Sequence, residues 1–101
     1  MWLFAMFDLP VDTKQARREY THFRKALIAN GFTMLQFSVY ARYCASEEGS
    51  IGHRTTVEAA LPPSGQVRLL SVTDRQFGKM QVFFGKNRQP VEDPPVQLLL
   101  F

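Results

Sequence analysis

Six consecutive apolar positions, Trp2, Leu3, Phe4, Ala5, Met6 and Phe7, run into Asp8-Leu9-Pro10. A run this short, rich in aromatics and apolar at every position, predicts a β-strand covered on both faces and ended by the proline. Asp12 or Thr13 can cap the next segment, where Ala16, Tyr20, Phe23 and Leu27 fall at i, i+4, i+7 and i+11, and Asn30-Gly31 supplies the stop. That spacing predicts an amphipathic helix, and its other face carries Lys14, Arg17, Arg18, Thr21 and Lys25. Between residues 32 and 44 the period changes to two. Leu35, Phe37 and Val39 then share one face and Gln36, Ser38 and Tyr40 the other, which predicts a strand that can kink into two. Ser46-Glu47-Glu48 opens a second helix with a modest stripe of Val57, Ala60 and Leu61, interrupted by Gly49 and Gly52 and stopped by Pro62-Pro63. Residues 67–73 and 81–84 are β-rich and joined by a polar loop at 74–79. A last apolar run, 96–101, follows a breaker-rich stretch at 89–95.

Strand, helix, one or two strands, helix, strand, strand is the order of an α+β ferredoxin-like sandwich, an antiparallel sheet with two helices on one face. Such a sheet has a bare face, yet residues 2–7 are apolar toward both faces. The second face is covered most cheaply by another copy, so a twofold sheet-to-sheet homodimer is expected. The run at 96–101 then becomes a C-terminal strand added to a sheet edge. This divides the chain into a ferredoxin-like domain, 1–88, and a tail, 89–101, for dimer or partner contact.

With 101 residues there is room for one core, which excludes multidomain enzymes and repeat arrays. Apolar residues at 46% and charged ones at 21% exclude disorder of the whole chain. The net charge of +3 points weakly to a polyanion, and its distribution says more. Residues 13–46 hold six basic side chains against the single acid Glu19, and residues 66–90 hold five against Asp74. The lone Cys44 forms no internal disulfide, so a cytoplasmic protein is expected. The opening apolar run is too short for a membrane span, and no membrane partner is expected.

Asp8 has two readings: a cap of the turn into the first helix, or a functional carboxylate at the lip of the sheet. Twofold symmetry favours the second, because two copies of Asp8 with several waters suit Mg²⁺, with Mn²⁺ as the alternative ion. Such an ion can activate water and neutralise a phosphate. Gln36, Ser38 and Tyr40 are expected on the uncovered side of the sheet, with Ser38 able to bond a water or phosphate near Asp8. The opposing reading is a hydrated dimer interface. Lys14, Arg17, Arg18 and Lys25 suit phosphate contacts from one helix face, against a plain solvated surface. His22 and His53 have no partner at metal-ligand spacing and read as surface histidines, and Cys44 reads as a packing residue. Residues 77–84 lack the basic-Gly-aromatic order of an RNA-recognition motif.

Phe7-Asp8-Leu9-Pro10, the basic helix, Gly31-Phe32, and Leu35-Gln36-Phe37-Ser38-Val39-Tyr40 together resemble the small CRISPR-associated spacer-acquisition protein, the second of the two core adaptation proteins. The resemblance covers nearly the whole chain. Leu70-Ser71-Val72-Thr73-Asp74-Arg75-Gln76-Phe77 and the apolar C-terminus look most like the form found beside Cas9-type effectors. It implies a ferredoxin-like homodimer that bridges two CRISPR integrase dimers and holds double-stranded DNA. It also implies a metal-dependent endonuclease on RNA, single-stranded RNA included, or DNA, with Asp8 as the Mg²⁺ ligand. Arg17 or Arg18 then correspond to the family's basic helix residues, and Ser38 and Tyr40 to its serine and aromatic. Many members carry a basic residue two before the Gln, where this chain has Met34. The alternative is a toxin-like ribonuclease on the same fold, acting without an integrase.

Overall fold

The computed structural model describes residues 1–94; the expected C-terminal edge strand at 96–101 lies outside the described residues. Strand β1 (Trp2–Asp8) leads into helix α1 (Lys14–Ala29). The Thr13 hydroxyl accepts the Ala16 N–H at 3.0 Å and so satisfies one of the helix's open donors. At the far end Gly31, at φ +84°, donates to the Ile28 carbonyl and Phe32 to the Leu27 carbonyl, a Schellman ending that a left-handed glycine permits. Next come β2 (Thr33–Gln36), β3 (Val39–Tyr43), α2 (Glu47–Ala59) capped by Ser46, and β4 (Gln66–Val72).

The sheet runs β2-β3-β1-β4, with each neighbouring pair antiparallel. Two split βαβ units interleave: β3 lies between β1 and β2, and β1 between β3 and β4. This is the ferredoxin-like arrangement. Leu3, Ala5 and Phe7 of β1 pack with Phe23 and Leu27 of α1, Val57 of α2, Tyr40 and Cys44 into the main core. Burial raises the Cys44 thiol pKa, which suits an inert packing residue.

Three expectations change on the opposite face of the sheet. The segment at 74–79 is helix, not loop: α3 (Asp74–Gly78) starts with a capping box in which Thr73 and Gln76 satisfy each other's backbone donors. The face is also not bare, because α3 lays Phe77 over Trp2, and Met80 and Val91 pack beside them with Leu35, Tyr43 and Val72. What stays open is its other half, where Leu70 is 49% exposed. Finally, 82–84 does not extend the main sheet. Strand β5 (Val82–Phe84) pairs with β6 (Asn87–Gln89) in a separate hairpin, turned through Gly85 at φ +62° and Lys86.

Candidate functional site

Strand alternation decides where Asp8 sits. Leu3, Ala5 and Phe7 point to the helices, so Trp2, Phe4, Met6 and Asp8 share the opposite face. Asp8 is the last residue of β1 and is exposed. Its pairing partner on β4 is Gln66, and Met6 pairs with Arg68. Met6, Phe7, Asp8, Gln66 and Arg68 line a concavity of about 190 Å³.

The backbone behind the carboxylate is well anchored. The Phe7 N–H donates to the Ser38 carbonyl at 3.1 Å, and Ser38 itself sits at φ +61° in the turn between β2 and β3. Ser38 and Asp8 are thereby brought to the same end of the sheet. The Phe7 ring stacks on Tyr40 with centroids 5.6 Å apart and meets Phe23 edge to face at 5.2 Å.

Tyr40 does not line the uncovered face. It is 1% exposed, on the helix side, and its hydroxyl accepts a hydrogen bond from Arg24 Nε at 2.8 Å. The expected alternation holds only for Leu35 and Val39 against Tyr40, with the sides exchanged; it breaks between them, where residues 37–38 form the β2–β3 turn and Phe37 is exposed and stacks on Tyr20 of α1. Leu35 packs on the face away from the helices, and a register irregularity between Met34 and Gln36 sets Gln36 opposite Val39. Because both faces carry apolar cover, the phenol's ring could be buried once its hydroxyl had a donor. Tyr40 therefore supports Phe7 from below.

Lys14, Arg17, Arg18 and Lys25 form a separate surface. With Thr21 and His22 they line a groove of about 410 Å³ on the outer side of α1, and none of them borders the Asp8 concavity. All four are exposed, and Arg17 also donates to the Val11 carbonyl at 3.1 Å, which ties α1 to the loop before it. The lone acid of the helix, Glu19, is engaged by Gln15.

His53 departs from the surface reading. It is half-buried on α2, and its Nε2 accepts from Arg42 Nε at 2.8 Å while Arg42 Nη1 donates to the Asn30 carbonyl at 2.7 Å. Burial and then the Arg42 charge hold its pKa below the ordinary imidazole value. Sequence spacing alone gave no sign of this clamp, nor of Gln66 and Arg68 beside Asp8. Both depend on strand register.

Among the described residues, no three His, Cys, Asp or Glu side chains gather where they could hold a metal ion. One exposed carboxylate per chain fits a hydrated Mg²⁺, which commonly keeps several waters and takes one or two carboxylates. It does not fit a caged zinc or calcium ion. No helix among these residues is long and apolar enough to cross a membrane.

The family model described as CRISPR associated protein Cas2 matches residues 1–80. The chain belongs to the Cas2 family. The matched span takes in the whole four-stranded sheet and all three helices, and it stops before the β5–β6 hairpin. Relatives extend the Cas2 likeness over the full chain. A protein of Parvibaculum lavamentivorans named CRISPR-associated endoribonuclease Cas2 is 52% identical over 101 residues, covering all of both chains. Proteins of the same name from Paracidovorax avenae and Flavobacterium psychrophilum are 46% and 41% identical over all of this chain and 94% and 88% of their own.

Proposed function

We propose that this chain acts in CRISPR adaptation as a homodimeric, DNA-holding subunit that bridges integrase dimers, and that Asp8 gives it Mg²⁺-dependent endonuclease activity on RNA or DNA. The observation that carries the reading is the exposed cationic face of α1, where Lys14, Arg17, Arg18 and Lys25 stand in one groove with no acid among its lining residues. A surface of that kind tracks a phosphate backbone without reading bases, which suits a holder of DNA segments of varied sequence. Leu70 on the sheet and Phe83 and Phe84 on the hairpin are exposed large apolar residues, which supports a second copy on that side.

The nuclease half rests on the relatives' name and on the anchored, exposed Asp8. Hydrolysis adds water to phosphorus and breaks the bond to one ester oxygen, which leaves as an alcohol. Mg²⁺ or Mn²⁺, when bound, supplies charge neutralisation of the phosphate and a more acidic water. Asp8 would hold the ion, and the Phe7–Ser38 hydrogen bond and the Phe7–Tyr40 stack would keep the carboxylate in place.

The test is integration of DNA into a repeat-containing plasmid by the cognate integrase, with wild type, Asp8→Asn, or a variant with Lys14, Arg18 and Lys25 changed to Ala. A DNA-holding role gives equal stimulation by wild type and Asp8→Asn and a large loss in the triple variant. Cleavage by wild type alone, with no effect of any form on integration, rejects the adaptation reading and leaves a free-standing nuclease of the toxin type.

A further inference from the structure

We infer that Arg68 is a phosphate-contacting residue of the Asp8 site, reaching the substrate from the edge of the sheet. Along β4, Val67 and Leu69 pack toward the helix-side core, which turns Gln66, Arg68 and Leu70 to the face that carries Asp8. The register sets Gln66 opposite Asp8 and Arg68 opposite Met6. Arg68 is therefore the diagonal neighbour of Asp8, a separation of roughly 7–8 Å between backbones that an arginine side chain spans easily.

Three features separate this from an ordinary surface arginine. First, Asp8 and Arg68 line the same concavity of about 190 Å³. Second, the two opposite charges do not pair; the one ion pair among the described residues joins the Met1 ammonium to Asp74. Among the described residues the carboxylate and the guanidinium both remain available. Third, among the described residues β4 is an edge strand, so within this part of the chain no strand stands between Arg68 and an approaching polymer.

The chemistry needs such a residue. A bare carboxylate repels a phosphodiester; an ion held by Asp8 would reverse that repulsion but would not by itself fix how the phosphate is turned. A guanidinium can present two N–H groups to two non-bridging oxygens, fixing the phosphate's orientation as well as its charge. The Gln66 amide, across from Asp8, offers a further donor at the same lip. The concavity lies at the end of the sheet, past Phe4 and Leu70.

This inference rests on the reading of Asp8 as the cleavage residue, and its test has an arm that does not. Arg68→Ala, Arg68→Lys and Asp8→Asn are compared for Mg²⁺-dependent cleavage of a labelled RNA and a labelled DNA duplex. Binding of both by fluorescence anisotropy is followed across a salt series, and urea unfolding is measured for each variant. The expected result is a loss of cleavage of about 10- to 100-fold in Arg68→Ala with partial recovery in Arg68→Lys. The log–log salt slope falls by about 0.7–0.9 in Arg68→Ala, the value of one phosphate contact, and the urea midpoint is unchanged. Cleavage by wild type that Asp8→Asn abolishes but Arg68→Ala leaves intact, with an unchanged slope, overturns the role of Arg68 and spares that of Asp8. If Asp8→Asn cleaves as well as wild type, the Asp8 reading fails; a reduced slope in Arg68→Ala still upholds the phosphate contact, and an unchanged slope removes it. A lower urea midpoint with an unchanged slope makes Arg68 a structural counter-charge, which also overturns the proposal.

Discussion

Phe77 lies flat on Trp2, with ring centroids 4.0 Å apart and planes 9° from parallel. The contact brings α3 down on the face of the sheet that the two long helices leave uncovered, and Phe4 and Tyr43 close around it at 5.9 Å and 5.3 Å from Phe77 and Trp2. Phe77 is 3% exposed, so cutting it to alanine leaves a cavity under α3. Phe77→Ala should cost about 3–4 kcal/mol and Phe77→Leu about 1–2. Urea unfolding measures both, and equal midpoints for Phe77→Ala and wild type would show that α3 is not seated on the sheet.

The Arg42–His53 bond predicts a pH dependence of stability. Arg42 can donate to His53 Nε2 only while the imidazole is neutral, and protonation sets two cations side by side. With the folded pKa below the unfolded value near 6.5, the unfolded chain binds the extra proton first. Stability from this pair is therefore full above about pH 6.5 and is lost as pH falls through the lower folded pKa. The difference in urea midpoint between wild type and His53→Gln, whose amide oxygen can accept the same bond, should shift in favour of the variant between about pH 7 and pH 5.

Gly31 tests the other end of that clamp. A Cβ at this position, with φ +84°, meets the Arg42 guanidinium that bonds the Asn30 carbonyl. Gly31→Ala should lose about 1–2 kcal/mol from the left-handed backbone alone, and more if Arg42 is displaced. Gly31→Asn, at a conformation asparagine tolerates better, separates backbone strain from displacement of Arg42 when the two midpoints are compared.

Much of the fold was legible because local signals agreed with one another. Thr13, the Ala16-Tyr20-Phe23-Leu27 stripe and Asn30-Gly31 each pointed to the same helix, and Asp8-Leu9-Pro10 marked the end of the first strand within a residue. The sides of the sheet were harder. A bulge at Met34–Gln36 and a turn at 37–38 break the alternation between Leu35 and Tyr40, and a tyrosine satisfied by Arg24 is apolar enough to face the core, which nothing local says. Thr73-x-x-Gln76 was a readable capping box hidden in a stretch of polar residues. Within the candidate site, Asp8 stands out as a carboxylate at a strand end. Gln66 and Arg68 do not, since fifty-odd residues separate them from it and only the β1–β4 register brings them together.

Burial of Tyr40 separates two roles for its hydroxyl. Were it in the site, Tyr40→Phe would abolish cleavage. As the acceptor for Arg24 beneath Phe7, it should instead cost about 1 kcal/mol of stability and leave nucleic-acid cleavage and binding within about twofold of wild type. Urea midpoints and initial rates on the same preparations decide between these.

The cationic face of α1 should act through charge rather than shape. Lys14, Arg18 and Lys25 are exposed and make no side-chain hydrogen bond among the described residues, whereas Arg17 ties down the Val11 carbonyl and is better left in place. Each phosphate neutralised by a lysine or arginine releases condensed counterions, so affinity for a DNA duplex should fall with a log–log salt slope of about 0.9 per contact. Changing Lys14, Arg18 and Lys25 to Ala should reduce the slope by up to about 2.7 if all three touch phosphate. Affinity should drop most at low salt and equally for unrelated sequences, because backbone contacts carry no base information. A drop confined to one sequence, or an unchanged slope, would place the DNA elsewhere on the protein.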